Sequence, residues 1–563
     1  MNSDFRIGII QHNPVVGDVT GNAEQISDEY NRLAESSADI IITPELSLLG
    51  YPPRDLLHRS GMHEAQTAAI QTIAAQTTDG PPLIVGAALA HDSDTGPPLS
   101  NAATVLRQGA QTAVYYKQLL PTYDVFDEHR YFRPGNKPLI VSIDGVDVGI
   151  TICEDAWHDA IVTGQQRHEA SPLADASADG AEIILTLSAS PFSLDKPARR
   201  EHRFVRHAQQ TNCPVIFANQ VGGNDELIFD GHSIVATSDG VSERFAGFES
   251  ETAIVDVPLG QDHTTNLAAY SATAATQARD ALGLGIRDYF AKTGFDEAVI
   301  GLSGGIDSSV AAALAVDALG PNRVYGISLP SNVTSQRSVD DAQTVAQNLG
   351  ISFDIVPIRT AVQTAHQTLS EHAESLTGIA AENIQARIRG DMLMGLANER
   401  DALVLTPDNK SEAAVGYCTL YGDTVGALAP LGDCYKQIVY QLASAFNDRP
   451  PVSAHSSPVI PSSVIERPPS AELREDQTDT EELPVYEQLD PILRRYIETN
   501  DTGAALRDEY PDDVVKRTIE RVSRAEFKRR QTPPPLRITQ KALGRGWNYP
   551  IAAEYEHIIP DEG

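Results

Sequence analysis

The run IGLSGGIDSSV at 300–310 decides how the second half of this chain is read. The apolar stretch AVIGL that leads into it predicts a strand. Ser303, Gly304 and Gly305 then form a turn of small residues, and a helix begins near Asp307. Glycines let backbone N–H groups approach an anion, and a helix N-terminus adds partial positive charge at the same place. The stretch is a candidate phosphate cradle. It lacks the GK[ST] ending of a Walker motif, so transfer of a terminal phosphoryl group is not the chemistry it implies.

Around the cradle, a helix reaching about Lys292, the strand VYGISLP and a helix from Ser335 to Asn348 alternate with the first strand. That alternation predicts a parallel, doubly wound α/β sheet. Upstream, GQDHTTNLAAYSATAATQ at 260–277 is small, polar and nearly uncharged, and it reads as a linker between a first domain, 1–259, and a second, 278–563. The first domain carries short apolar strand candidates: FRIGIIQH, DIIITP, PLIVGAAL, TAVYYK, DVGITICED, AEIILTLSAS, PVIFAN and AIVDVPL. Their near-continuous apolar character predicts sheets buried on both faces, hence layered α/β architecture. Downstream, Asp448 to Asp479 is rich in Pro, Ser and charge and reads as a mobile loop or lid.

The 563 residues, 41% of them hydrophobic, suffice for two large cores. Four Cys without a CxxC pair suit neither a disulfide framework nor a structural zinc site, so an important cysteine is expected to act alone. The balance of 77 acidic to 43 basic residues, a formal charge of −34, argues against a nucleic-acid partner. It fits either a solvated surface kept soluble by self-repulsion or adaptation to high internal salt. No apolar run is long enough to span a bilayer, and the start MNSDFRIGIIQHNP lacks a basic region followed by an apolar core. A cytoplasmic enzyme without a membrane partner is the expectation.

Three segments of the first domain carry potential chemistry, each where a predicted strand ends: PELSLLGYPPRDLL with Glu45, YYKQLLPTYDVFDEHRYF with Lys117, and TICEDAW with Cys153. Each residue alone is as well explained by a surface charge or a small buried hydrophobe. Cys153 stands out because a polar Glu-Asp pair follows it where a buried strand would continue, which predicts an exposed strand-end thiol. A thiol needs a base to act as nucleophile, which Glu45 could supply, and a cation such as Lys117 could stabilise the oxyanion.

Together these segments resemble the glutaminase branch of the nitrilase superfamily, whose fold is an α-β-β-α sandwich. The resemblance implies that Glu45, Lys117 and Cys153 are catalytic and that Tyr123, Ser190 and Lys196 hold glutamine, with Glu128 supporting the triad. Cys213, Cys418 and Cys434 lie outside the motif and read as structural.

SGGIDSS resembles the ATP-pyrophosphatase signature of Rossmann-like adenine nucleotide alpha hydrolases, in which ATP is split between its α and β phosphates to adenylate a substrate. The resemblance makes Gly301, Leu302, Ser303, Gly304, Gly305, Ile306, Asp307, Ser308, Ser309 and Pro407 the candidate ATP contacts. Four further segments are similar to NAD synthetase: ENIQARIRGDMLMGLAN at 382–398, NKSEAAVGYCTLYGDTVGALAPLGDCYK at 409–436, RPPSAELREDQTD at 467–479 and FKRRQTPPPLRITQKALGRG at 527–546. They imply deamido-NAD contacts at Asn383, Arg387, Glu412 and Lys528. Asp307 and Glu412 are candidate oxygen ligands for Mg²⁺, and Lys436 could neutralise charge on departing pyrophosphate. One departure is visible: Pro407 replaces a threonine of the family pattern, and proline offers neither N–H nor hydroxyl to a nucleotide.

The combined resemblance is to glutamine-dependent NAD synthetases, with glutamine, ATP and deamido-NAD as substrates, and the fused design points to a homo-oligomer. Two other functions remain open from the residues alone: a glutamine-dependent ligase of the same kind with a different acceptor, and an amidohydrolase whose second domain only senses nucleotide.

Overall fold

Three consecutive isoleucines, Ile40–Ile42, show how the first half folds, because in a strand successive side chains face opposite ways. Ile40 and Ile42 enter a core shared with Val148, Ile150, Ile183 and Leu185, whereas Ile41 packs with Ile26, Tyr30, Leu33, Ile70 and Ile73 on the other side. A strand that is apolar on both faces therefore lies between a second sheet and a layer of helices. The computed structural model describes residues 5–90, 95–159, 161–162, 165–259, 267–370, 372, 376–474 and 477–553. It divides into two compact units, Met1–Ala272 and Thr273–Gly563.

In the first unit one six-stranded sheet has the spatial order Glu251–Val257, Phe5–Gln11, Ile40–Ile42, Leu83–Ala90, Leu99–Arg107, Ala110–Tyr116. The other runs Val241–Arg244, Ile234–Ala236, Val215–Asn219, Ile183–Ser188, Val146–Ile152, Ile140–Ile143. Helices Val19–Glu35 and Ser60–Gln76 cover the first sheet. Helices Pro172–Ala178 and Lys196–Thr211 cover the second through Leu173, Ala176, Phe204 and Ala208. This is an α-β-β-α sandwich. The strands that sequence reading missed, Leu99–Arg107 and Ile140–Ile143 among them, pair antiparallel with neighbours and carry more small and polar residues.

In the second unit four parallel strands take the order Ser352–Ile355, Val324–Ser328, Glu297–Gly301, Ala402–Leu405. The first strand in sequence lies inside the sheet and the chain continues to either side of it, which creates a switch point at the strands' C-terminal ends. Helix Ile306–Leu319 starts there, directly after the turn Leu302–Gly305.

Residues 260–266 of the expected linker lie outside the described residues. Leu267 N donates to Val241 O, Tyr270 N donates to Glu201, and helix Ala274–Thr293 begins just afterwards. The stretch expected to be a mobile loop is tied down at several points: Asn348 Nδ2 donates to the carbonyls of Pro458 and Val459, Ser463 Oγ donates to Asp341, and Arg467 binds Ser338 and Glu472. Its lack of periodicity reflects side-chain anchoring in place of regular structure; Glu475 and Asp476 lie outside the described residues.

Candidate active sites

Three strand ends build the first site. Glu45 follows Ile40–Ile42, Lys117 follows Ala110–Tyr116, and Cys153 opens a 3₁₀ turn after Val146–Ile152. Lys117 Nζ donates to Glu45 Oε1 at 2.7 Å and to Glu128 Oε1 at 2.8 Å, and all three side chains are almost fully buried. Asn101 Nδ2 donates to Glu45 Oε1 and Ala189 N to Glu45 Oε2, at 2.7 and 2.9 Å, which fixes the carboxylate from two sides. Tyr51 OH donates to Glu128 Oε1 at 2.9 Å.

Burial pushes the Glu128 carboxyl up to about 7 against the pull of Lys117, and the nearby charge of Glu45 adds to the rise. Burial also disfavours the Lys117 ammonium, but Glu128 and Glu45 outweigh it and raise Lys117 well above its usual range. Burial and the Glu45 carboxylate hold the Cys153 thiol well above its usual value, so it stays protonated at neutral pH until a base removes the proton.

The exposed thiol predicted from the Glu-Asp pair is instead buried, because that pair is satisfied internally. Asp155 Oδ1 accepts from Leu119 N at 2.9 Å, and its Oδ2 accepts from Ile152 N at 2.9 Å and Tyr115 OH at 2.8 Å. One carboxylate thus staples the Lys117 loop to the Cys153 turn. Cys153 has φ +45°, a left-handed conformation rare for a side-chain-bearing residue and typical of functional turns.

The expected glutamine contacts fall in the same unit. Tyr123 OH donates to Glu154 Oε2 at 3.0 Å. Ser190 is buried, with its N–H donating to Asn219 Oδ1 at 2.9 Å. Lys196 starts the helix Lys196–Thr211, and its ammonium donates to Pro191 O and lies 5.6 Å from the Trp157 ring centre. Sequence reading missed Asn101, Tyr51 and Asp155. Only Asp155 left a trace, as an acidic residue where a strand should have continued.

The second site is a cavity of about 480 Å³ at the switch point, lined by Gly301, Leu302, Ser303, Gly305, Ile306, Asp307 and Ser308 from the cradle and by Pro407 opposite. Gly304 and Ser309 shape the cradle from behind. Gly304 has φ +82°, and a Cβ there would sit 2.1 Å from Ser338 O. Ser309 Oγ donates to Gly305 O at 2.8 Å. Helix Ile306–Leu319 has no side-chain cap, so its first N–H groups are left for an acceptor in the cavity.

Lys436 Nζ donates to Asp307 Oδ2 at 2.7 Å and to Glu412 Oε1 at 3.0 Å, and Asn409 Nδ2 donates to Asp307 Oδ1 at 2.9 Å. Burial lifts Glu412 to about 8 despite Lys436, with Asp307 adding to the rise. Asp408 is raised well above its range by burial and by Asp423, and Asp423 itself reaches about 6 through burial. The cavity wall is thus rich in carboxyl groups that favour a cation or a proton. Among the described residues, no three His, Cys, Asp or Glu side chains are grouped to hold a metal alone.

Asn383, Glu412 and Lys528 also line the cavity. Asn383 Oδ1 accepts from Thr419 Oγ1, while Lys528 Nζ donates to the carbonyls of Gly416 and Cys418, each at 2.7 Å. Arg387 is placed elsewhere: it is exposed, with Nε donating to Leu420 O. Two residues along the same helix, Arg389 faces the cavity and was missed. A period of 3.6 puts positions 387 and 389 on different faces, which the sequence showed only once the inward face was known.

Two family models match the chain, carbon-nitrogen hydrolase over residues 6–263 and NAD synthase over 279–532. The glutamine-dependent NAD(+) synthetase of Synechocystis is 40% identical over 559 residues, covering 98% of this chain and 99% of its own. This chain belongs to the glutamine-dependent NAD(+) synthetases. The family comprises carbon–nitrogen ligases with glutamine as nitrogen donor. The synthetase from Acinetobacter baylyi is 38% identical, over 97% of this chain and 98% of that one. A solved structure from Acinetobacter baumannii, in complex with adenosine diphosphate, has a TM-score of 0.76 at 35% identity, covering 97% of this chain and 98% of that one. The fold is shared with the synthetase from Cytophaga hutchinsonii, with a TM-score of 0.81 at 20% identity and 98% coverage of both chains. No helix among the described residues is long and apolar enough to cross a membrane.

Proposed function

We infer that this chain makes NAD⁺ by amidating deamido-NAD with ammonia released from glutamine, driven by cleavage of ATP to AMP and pyrophosphate. The observation that carries the reading is that one chain holds both a buried Cys–Glu–Lys site and a phosphate cradle without a Walker lysine, at the head of a cavity large enough for nucleotides. The enzyme works in the cytoplasm as a homo-oligomer, with its glutaminase in 1–259 and its synthetase in 278–563.

In the first site Glu45 takes the Cys153 proton as sulfur attacks the glutamine amide carbon, and passes it to the departing ammonia. Lys117, held by Glu45 and Glu128, faces the developing oxyanion. Water then attacks the thioester, and glutamate leaves. Tyr123, Ser190 and Lys196 hold the substrate.

In the second site residues 301–309 receive the phosphates of ATP, with Pro407 opposite, and Asn383, Glu412 and Lys528 hold deamido-NAD. The carboxylate of deamido-NAD attacks the α-phosphorus, pyrophosphate departs beside Lys436, and ammonia displaces AMP from the acyl adenylate. Asp307 and Glu412 suit Mg²⁺, since one ammonium already bridges both carboxylates and a hard cation needs only one or two protein oxygens when phosphates complete its shell. Bound there, the ion would offset charge on the phosphates. Arg387, exposed one turn along the same helix from Asn383, is the fourth residue proposed to meet deamido-NAD.

A product assay tests the reading. ATP, deamido-NAD and glutamine should yield AMP, pyrophosphate, NAD⁺ and glutamate in equal amounts. Turnover of a different acceptor in place of deamido-NAD, or glutamine hydrolysis at full rate with no pyrophosphate, would defeat it.

A further inference from the structure

Near the Cys153 turn, Arg167 carries a buried donor that has no hydrogen-bond partner among the described residues. The segment after the turn returns beside it, with His168 N donating to His158 O at 3.3 Å. This return brings the Arg167 guanidinium to 3.2 Å from the centre of the Tyr123 ring. Arg167 Nε is buried and has no hydrogen-bond partner among the described residues. A buried N–H without an acceptor is costly, and a ligand oxygen would relieve it.

The neighbouring charges give the ligand a polarity. Glu154 directly follows Cys153 and is 3% exposed. Its Oε2 accepts from Tyr123 OH at 3.0 Å, and His168 Nε2 lies 3.3 Å from its Oε1. Tyr123 therefore has a carboxylate at its hydroxyl and a guanidinium over its face. A glutamine bound for attack by Cys153 carries its α-ammonium and α-carboxylate on a carbon only three carbon–carbon bonds from the reacting carbon. The buried Glu154 repels the carboxylate and attracts the ammonium, whereas a guanidinium with an unused donor attracts the carboxylate.

We propose that Arg167 is a specificity residue of the glutaminase site, binding the α-carboxylate of glutamine. The proposal rests on the reading that Cys153 attacks glutamine. It adds a guanidinium, stacked on Tyr123, to the contacts at Tyr123, Ser190 and Lys196.

The test compares L-glutamine with γ-aminobutyramide, which is glutamine without its α-carboxylate, using the full-length enzyme and its Arg167→Met and Arg167→Lys variants. Arg167→Met keeps apolar bulk against Tyr123, and Arg167→Lys keeps the charge; ammonium-supported NAD⁺ formation reports on folding of the chain. Arg167→Met should lower kcat/KM for glutamine about 30-fold, mainly through KM, and Arg167→Lys should recover part of the loss. With γ-aminobutyramide all three enzymes should agree within about twofold. An equal loss with both amides would mean that Arg167 only braces Tyr123, and an unchanged KM for glutamine would mean that it does not meet the carboxylate; either overturns the proposal. Continued glutamine hydrolysis by Cys153→Ala would overturn the parent reading as well.

Discussion

In Met1–Ala272 the reacting groups are held by other side chains: buried Lys117 bonds both Glu45 and Glu128, Asn101 and Tyr51 fix those two carboxylates, and Asp155 ties the Lys117 loop to the Cys153 turn. In Thr273–Gly563 the corresponding framework is backbone, a glycine turn and an uncapped helix start opening on a cavity of about 480 Å³. The difference follows from the ligands. An amide attacked by a thiol needs a base and an oxyanion partner placed to within a fraction of an ångström before it arrives. A triphosphate brings its own charge and is received by N–H groups that any small-residue turn can present.

If the first site is a single interlocked unit, removing its nucleophile should have the largest and most selective effect. Cys153→Ala should cut glutamine-supported NAD⁺ formation by about a thousandfold or more while leaving the ammonium-supported reaction near the wild-type rate. Loss of both would mean that the two sites are not separable in this way. The converse variant is Asp307→Asn, which should lower ammonium-supported pyrophosphate release about a hundredfold and leave the reactivity of Cys153 toward an alkylating reagent unchanged. Chelating Mg²⁺ from the wild-type enzyme should produce the same pattern. Where the cradle presents backbone N–H groups, a Cβ added at its turn should also tell. Gly304→Ala, at φ +82° and against Ser338 O, should weaken ATP about tenfold or more in a binding titration, with little change in glutaminase rate.

The smallest effect concerns how the first site is supported. His207 Nε2 donates to Ala156 O at 2.8 Å behind the Cys153 turn, and burial lowers His207 from 6.5 to about 4. Between those values the unfolded chain takes up a proton that the folded one refuses. The stability that His207 contributes is therefore whole above 6.5 and drains as the pH falls toward 4. Burial raises Glu128 to about 7 and Asp155 to about 6, which acts in the opposite sense, so the informative quantity is a difference between proteins. Relative to His207→Gln, the wild type should lose about 2 kcal/mol between pH 6.5 and 5 in denaturant unfolding of this half. Parallel curves would exclude the mechanism.

Legibility in the sequence followed the same division. SGGIDSS declared its local geometry because a left-handed turn and a close approach to Ser338 O admit only glycine at position 304. The strands that carry Glu45, Lys117 and Cys153 were legible as apolar runs, and all three residues stand at the strand ends expected of them. The burial of Cys153 was not legible, because a Glu-Asp pair looks solvent-seeking until Leu119, Ile152 and Tyr115 arrive from elsewhere in the chain to satisfy Asp155. Likewise ENIQARIRGDML offered two arginines two residues apart, hence on different faces of one helix, and no means of telling which face turned inward.

The sequence alone determined the short apolar strands, the glycine turn and the order of motifs, since these depend on backbone sterics and on solvent partition acting over neighbouring residues. Only tertiary structure decided the rest. It placed Lys117 between two carboxylates 72 and 11 residues away, and Lys436 between Asp307 and Glu412, 129 and 24 residues away. Burial strengthens and pairs such charges only after the sheets have closed around them, so their protonation and their partners are properties of the fold.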